Sequence, residues 1–132
     1  MVEIIPAIMP KSAEDITEKL ALLGDFSSVI QLDLMDGVFV PDKTYLPDSL
    51  GGPASKFEFE LDLMIKNASD NMEKWLALNP KRIVFHIEAE ENLNRHIRTN
   101  MSYNENGVEI GIAINTTTPI EKIFPYLDKI NF

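Results

Sequence analysis

The chain has 132 residues, 45% of them hydrophobic, which is enough for one compact domain over residues 1–132 and too little for two separate cores. Its formal charge of −9 repels phosphate backbones and anionic lipid surfaces, which argues against nucleic acid and membrane partners. It has no cysteine for a disulfide and no apolar run near the ~20 residues of a membrane span, so we expect a cytoplasmic protein.

Five short apolar segments alternate with amphipathic stretches along the chain, which is the pattern of βα units rather than of hairpins. The segments are residues 2–9, 28–35, 57–64, 82–87 and 108–114. We predict each to be a strand, and we expect the last residues, "KINF", to begin a sixth.

Two of the intervening helices have predicted caps. Ser12 can cap a helix with Ile16 and Leu20 on one face before Gly24 ends it. Ser69 can cap a second, whose apolar face carries Met72, Trp75 and Leu76.

Two further helices and one loop complete the predicted order. A third helix is expected over residues 91–101, and Thr118, Pro119 and Glu121 make a capping box for the last one. Between residues 37 and 56 prolines and glycines interrupt any regular pattern, so we expect a long loop with at most one short helix.

The strands have two different faces when they are read with a period of two. One face is apolar throughout and must be buried under the helices. The other is polar, small or charged, unlike a sheet covered by helices on both faces. This favours the inner wall of a (β/α) barrel, built from Gln31, Asp33, Met35, Glu58, Glu60, Asp62, Met64, Arg82, Val84, His86, Glu88, Glu109, Gly111, Ala113 and Asn115.

Five motifs occur in the order and spacing of one known family. They are "IIPAIM" (4–9), "QLDLMDGVFVP" (31–41), "ELDLMIKN" (60–67), "FHIEAEEN" (85–92) and "GIAINTTTP" (111–119). In these motifs the chain resembles the ribulose-phosphate 3-epimerases. The resemblance implies an α/β fold, a partial (truncated) TIM barrel of about five parallel strands with helices on the outer face. Family members invert carbon 3 of a ketopentose phosphate through an enediolate, assisted by a divalent metal.

The resemblance also implies roles for individual residues. Asp33 stands at a position that is both a metal ligand and one of two acid/base carboxylates in the family, whereas Gln31 and Asp62 replace two metal-binding histidines. Ala7 replaces a serine. The substrate-pocket positions are Ala7, Met35, Met64, His86 and Asn115.

These departures predict that the chain has no epimerase activity alone. Epimerisation needs two carboxylates that flank the substrate, and the partner of Asp33 and the phosphate-binding loops would follow residue 132. The Asp33, Gln31 and Asp62 site then holds no metal, or holds an oxygen-preferring ion, Mg²⁺ or Mn²⁺ rather than Zn²⁺. Without a metal, two facing carboxylates would raise one another's proton affinity.

Alternatives to an inactive half-barrel remain open. Five strands do not close an eight-stranded barrel, so the open edges are expected to pair with a second copy, as a homo-oligomer, or with a complementing barrel half. The chain is then an epimerase once completed, or an oligomeric scaffold, or a sugar-phosphate-binding protein without turnover. Two local expectations are structural: Asp36 and Gly37 shape a turn, and Arg82 neutralises the acidic row on the neighbouring strand.

Overall fold

A single parallel sheet of five strands organises the computed structural model, which describes residues 2–92 and 107–132. Its strands lie side by side in chain order, as βα units require. They are β1 (Ala7–Ile8), β2 (Val29–Met35), β3 (Glu58–Met64), β4 (Arg82–His86) and β5 (Glu109–Ala113). Within the described ranges the sheet does not close, and the predicted partial (β/α) barrel is confirmed.

The first strand is shorter than predicted. Only Ala7 and Ile8 pair regularly with β2, opposite Gln31 and Leu32. Pro6 precedes them, and because proline has no N–H it cannot donate to a ladder; its carbonyl still accepts from Gln31 N at 2.9 Å. The prediction that residues 2–6 are also strand was therefore wrong.

The helices lie on the apolar face of the sheet. Helix α1 (Ala13–Leu23) begins where Ser12 Oγ accepts from Asp15 N at 3.1 Å, and it ends at Gly24, which has φ +54°, as predicted. Helix α2 (Met72–Leu76) buries Met72 and Trp75.

The core lies between this face and the helices. Strands β2 to β4 provide its centre, and seven side chains on their apolar face are fully buried. Burying one such side chain stabilises a fold by roughly 1.5–3 kcal/mol, so this layer fixes which face of the sheet points outward. The seven are Ile30, Leu32, Leu34, Leu61, Leu63, Ile83 and Phe85.

Two predicted caps were wrong because their hydroxyl groups bind distant carboxylates. Ser69 lies inside a 3₁₀ turn (Ala68–Asn71), and both its N–H and its hydroxyl donate to Glu90. Thr118 donates its hydroxyl to Glu88 instead of capping the last helix. That helix is 3₁₀ in character (Ile120–Tyr126), and no side chain in the described part of the chain caps it.

Irregular segments connect the remaining elements. Residues 37–56 form the predicted long loop with one short 3₁₀ helix (Gly52–Lys56), and another (Ile87–Ala89) follows β4. The predicted helix over residues 91–101 lies almost wholly outside the described residues. The predicted opening of a sixth strand does not form: residues 129–132 are irregular, although Asn131 N donates to Ile110 O at 2.8 Å beside β5.

No helix within residues 2–92 and 107–132 has the length and hydrophobicity needed to cross a lipid bilayer.

Candidate functional site

Strands β2 and β3 align the central residues of the polar wall. In the parallel register Gln31 lies opposite Glu60, Asp33 opposite Asp62, and Met35 opposite Met64. The two aspartates are thus direct neighbours on one layer of the inner face, and the two methionines lie one layer nearer the carboxyl ends of the strands.

Asp33 is held by its own strand. Gln31 Nε2 donates to Asp33 Oδ1 at 2.7 Å, so the amide nitrogen points at the carboxylate. Burial raises the pKa of Asp33 above the ordinary value, and the neighbouring charge of Asp62 adds to the effect although the bond from Gln31 opposes it. The expected effect of a facing carboxylate on the pKa of Asp33 is present, but burial is the larger cause of the rise.

Asp62 is held by the next strand. Its Oδ1 lies 3.0 Å from Nε2 of His86, and both side chains are largely buried. The His86 ring also packs against Phe39, with ring centroids 5.3 Å apart. His86 Nδ1 is buried with no hydrogen-bond partner among the described residues.

The loop after β2 folds back and forms hydrogen bonds with the end of that strand. Thr44 Oγ1 donates to Asp33 O at 3.1 Å and accepts from Met35 N at 2.9 Å. The sequence pattern gave no signal for Thr44, because it lies in an irregular segment where periodicity carries no information.

Asp36 shapes the turn after β2, as predicted. Its Oδ1 accepts from Val38 N at 2.8 Å and from Phe39 N at 3.1 Å, while Oδ2 accepts from Lys66 N at 2.9 Å. Burial acts to raise the pKa of Asp36, but these backbone donors outweigh it and lower the pKa. Gly37 has φ +76°, a conformation that suits glycine.

Glu88 organises the carboxyl ends of β4 and β5. Its Oε1 accepts from Asn115 N at 2.8 Å and from the Thr118 hydroxyl, whereas its Oε2 is buried with no partner among the described residues. Asn115 itself is exposed beside this carboxylate, and Ala7 is exposed at the opposite edge, next to Gln31. Glu88 belonged to the predicted polar face, but only the structure shows its partners.

Arg82 gathers acidic groups at the amino-terminal end of the wall. Its guanidinium lies 2.8 Å from Glu109, 3.2 Å from Glu3 and 3.4 Å from Glu60. The expectation that Arg82 neutralises the acidic row is confirmed for Glu60, while Glu58 pairs with Lys81 at 2.7 Å.

The residues present do not fit a resident divalent metal. A chelate needs several oxygen or nitrogen lone pairs that converge on one point. Here Gln31 directs an N–H at Asp33, and Asp62 is bound to His86, so the wall forms two separate pairs. Across the described part of the chain, no three His, Asp or Glu side chains are grouped to hold a metal ion.

Comparison with known proteins gives one consistent result. The sequence profile of the ribulose-phosphate 3 epimerase family matches residues 3–132. A protein of Treponema pallidum named ribulose-phosphate 3-epimerase is 31% identical over 106 residues, covering 76% of this chain and 47% of that protein. The Escherichia coli K12 protein of the same name is 28% identical over 131 residues, covering 97% and 56%.

A rice protein, named as the cytoplasmic isoform of the same enzyme, is 29% identical over 77% of this chain and 45% of its own length. The chain therefore spans about half the length of the curated relatives it matches.

Proposed function

Because the chain belongs to the ribulose-phosphate 3-epimerase family, we propose that it forms the amino-terminal part of a pentulose-phosphate site and does not epimerise the sugar on its own. The observation that carries this proposal is the pairing of Asp33 with Gln31 and of Asp62 with His86 across one layer of the wall.

The acid/base chemistry supports the proposal. Inversion at carbon 3 removes a proton on one face of the sugar and returns one on the other, so two positioned groups are required. Asp33 stands at one family acid/base position. Asp62 lies directly beside it on the next strand rather than across a substrate, so it cannot serve as the opposing acid.

The electrostatics of the wall support it as well. An enediolate would develop negative charge next to the carboxylates of Asp33 and Asp62, and the neighbouring amide of Gln31 already donates to Asp33. A preorganised group that stabilises such charge contributes several kcal/mol, roughly a thousandfold in rate. The two carboxylates of Asp33 and Asp62 would instead destabilise the negative charge of the enediolate.

The proposal is tested by incubating the purified 132-residue chain with D-ribulose 5-phosphate and measuring D-xylulose 5-phosphate by NMR. We expect no conversion with EDTA, Mg²⁺ or Mn²⁺, while the Escherichia coli relative converts the sugar in parallel. Because traces of a host epimerase would mimic activity, Asp33→Asn is the control. If the wild-type chain converts the sugar and Asp33→Asn abolishes that conversion, the proposal is overturned.

The open sheet favours a second candidate function, activity after complementation. Among the described residues, strands β1 and β5 each pair with one other strand, and large apolar side chains are exposed in the segments that flank these two strands in the chain. Further strands, from a second copy or from a complementing barrel half, would cover them. The exposed side chains are Val2, Ile4 and Met9 near β1, and Ile120, Phe124 and Leu127 after β5.

Complementation is tested in two steps. Light scattering after size-exclusion chromatography measures the mass, and a discrete dimer would support pairing with a second copy. Mixing the chain with the carboxyl-terminal half of the Escherichia coli relative then tests a barrel half, with epimerase activity as the readout. A stable monomer that gains no activity from the added half would exclude this candidate.

The name of the rice relative supports a cytoplasmic location for this chain too. Fractionation of the source cells tests that location.

A further inference from the structure

We infer that the inner wall has exchanged the divalent-metal site of its family for two internal hydrogen-bonded pairs, so that Gln31→His and Asp62→His together would be sufficient to create a metal site. The inference uses the same wall as the proposed function. It concerns cation binding, however, and stands whether or not the chain turns over a sugar.

On β2, the amide of Gln31 is bound to the carboxylate of Asp33. Gln31 and Asp33 are two residues apart on one strand face, and Gln31 Nε2 donates to Asp33 Oδ1 at 2.7 Å. An N–H aimed at a carboxylate occupies a lone pair that a cation would need. The same amide also satisfies part of the charge of Asp33, which a metal would otherwise do.

The carboxylate of Asp62 on β3 is bound to the neighbouring strand β4. The family resemblance implies a metal ion that joins ligands on the second and third strands. Here the cross-strand connection runs instead from Asp62 on β3 to His86 on β4, with Oδ1 and Nε2 3.0 Å apart. The carboxylate at residue 62 is thereby directed along the sheet toward β4 and away from Gln31.

The backbone of β2 and β3 still has a register that suits a metal site. Asp33 and Asp62 are paired positions on adjacent parallel strands, whose Cα atoms are about 5 Å apart, and Gln31 lies about 7 Å from Asp33 toward the amino end of β2. Imidazoles at positions 31 and 62 would add two nitrogen ligands beside the Asp33 carboxylate. Two histidines and a carboxylate on one wall suit Zn²⁺, Co²⁺ or Mn²⁺.

The experiment is a titration of the full chain with Co²⁺ and Zn²⁺, followed by calorimetry and by the visible spectrum of Co²⁺. The wild type should give no saturable binding. The variant Gln31→His/Asp62→His should bind one ion, at least about a hundredfold more tightly than the weak, non-saturable association of the wild type. The matched control is Gln31→Asn/Asp62→Asn, which alters the same positions without adding imidazole, and it should not gain binding.

Three results would overturn the inference. One is saturable binding by the wild type that Asp33→Ala abolishes. Another is a folded double-histidine variant that gains no affinity. The third applies even if that variant does not fold: Mn²⁺ added to the wild type should leave the NMR signals of Asp33, Asp62 and His86 sharp, and selective broadening of them would show a bound ion.

The two proposals fail separately. Epimerisation by the wild type in EDTA would overturn the proposed function and leave this inference intact. One ion bound tightly by the wild type, without turnover of the sugar, would overturn this inference and leave the proposed function intact.

Discussion

Asp62 and His86 form a direct link between β3 and β4 on the polar wall, with Oδ1 3.0 Å from Nε2 and both side chains largely shielded from solvent. The two residues are not paired positions in the backbone register, since Asp62 lies opposite Val84 and His86 opposite Ala113. The contact therefore runs diagonally across the strands and depends on the particular side chains.

Asp62→Asn should weaken this link and lower the free energy of unfolding by about 1–2 kcal/mol, because a charge-assisted hydrogen bond becomes a neutral one in a partly buried place. Urea unfolding at neutral pH measures the loss. Asp42→Asn is the control, since Asp42 is exposed in the loop after β2 and should change stability little. Equal effects of the two substitutions would contradict a structural role for the Asp62–His86 pair.

Gly111→Ala should displace the ring of Phe132. A Cβ at residue 111 would lie 2.6 Å from Cε2 of that ring, well inside the contact distance. Because the Phe132 side chain is about half exposed and can move, we expect a loss of about 1 kcal/mol rather than unfolding. In a Phe132→Ala background the same substitution should cost almost nothing. A loss that persists in that background would place the strain in the backbone instead.

Arg82→Met should destabilise the fold by about 3 kcal/mol, because it leaves the buried carboxylate of Glu60 without its cation. Burial already raises the pKa of Glu60, although the bond to Arg82 opposes the rise. A raised folded pKa means that stability falls as pH rises from the ordinary carboxyl range through the folded value. The variant should therefore regain stability on acidification, measured by thermal unfolding across pH.

The matched test of that explanation is Arg82→Met with Glu60→Gln. Removing both charges should restore much of the loss and flatten the pH dependence. A double variant as unstable as Arg82→Met would show that Arg82 acts through Glu109, Glu3 or the ring of Phe132, whose centroid lies 5.4 Å from the guanidinium carbon.

Asp36→Ala should cost about 2 kcal/mol, since one carboxylate accepts three backbone N–H bonds in the turn after β2. These donors lower the pKa of Asp36, so its contribution is present above the ordinary carboxyl pKa and is lost as pH falls through the lower folded value. Urea unfolding should show the largest difference between wild type and variant near neutral pH. Asp36→Asn keeps one carbonyl oxygen and should lose less than Asp36→Ala.

The sequence predicted the sheet because its signals are local and repeat. Period-two alternation placed Leu32 and Leu34 on the buried face and Gln31 and Asp33 on the polar one, and the structure has this arrangement. Burial of the apolar face fixes the strand orientation, since a shift by one residue would expose every leucine.

The side-chain pairings of the wall could not be predicted in the same way. Ser69 and Thr118 each had a local interpretation as a helix cap, yet each binds a glutamate more than 20 residues away. The Asp62–His86 link also depends on how β3 and β4 are aligned and on which rotamers meet. Periodicity determines a face, whereas a pairing within that face depends on tertiary register.

Asp33→Asn should raise stability at neutral pH, by up to about 1 kcal/mol, which would mark Asp33 as a residue kept for a site rather than for the fold. Burial raises the pKa of Asp33, so folding disfavours its ionised form, and stability falls as pH rises through the interval between the unfolded and folded pKa values. Asparagine keeps the shape without the charge and removes that penalty together with the repulsion from Asp62. Thermal unfolding should show a gain above the folded pKa that disappears at acidic pH, where the wild-type carboxyl is protonated. A loss of stability at neutral pH would instead mean that the bond from Gln31 to a charged Asp33 stabilises the wall more than burial opposes it.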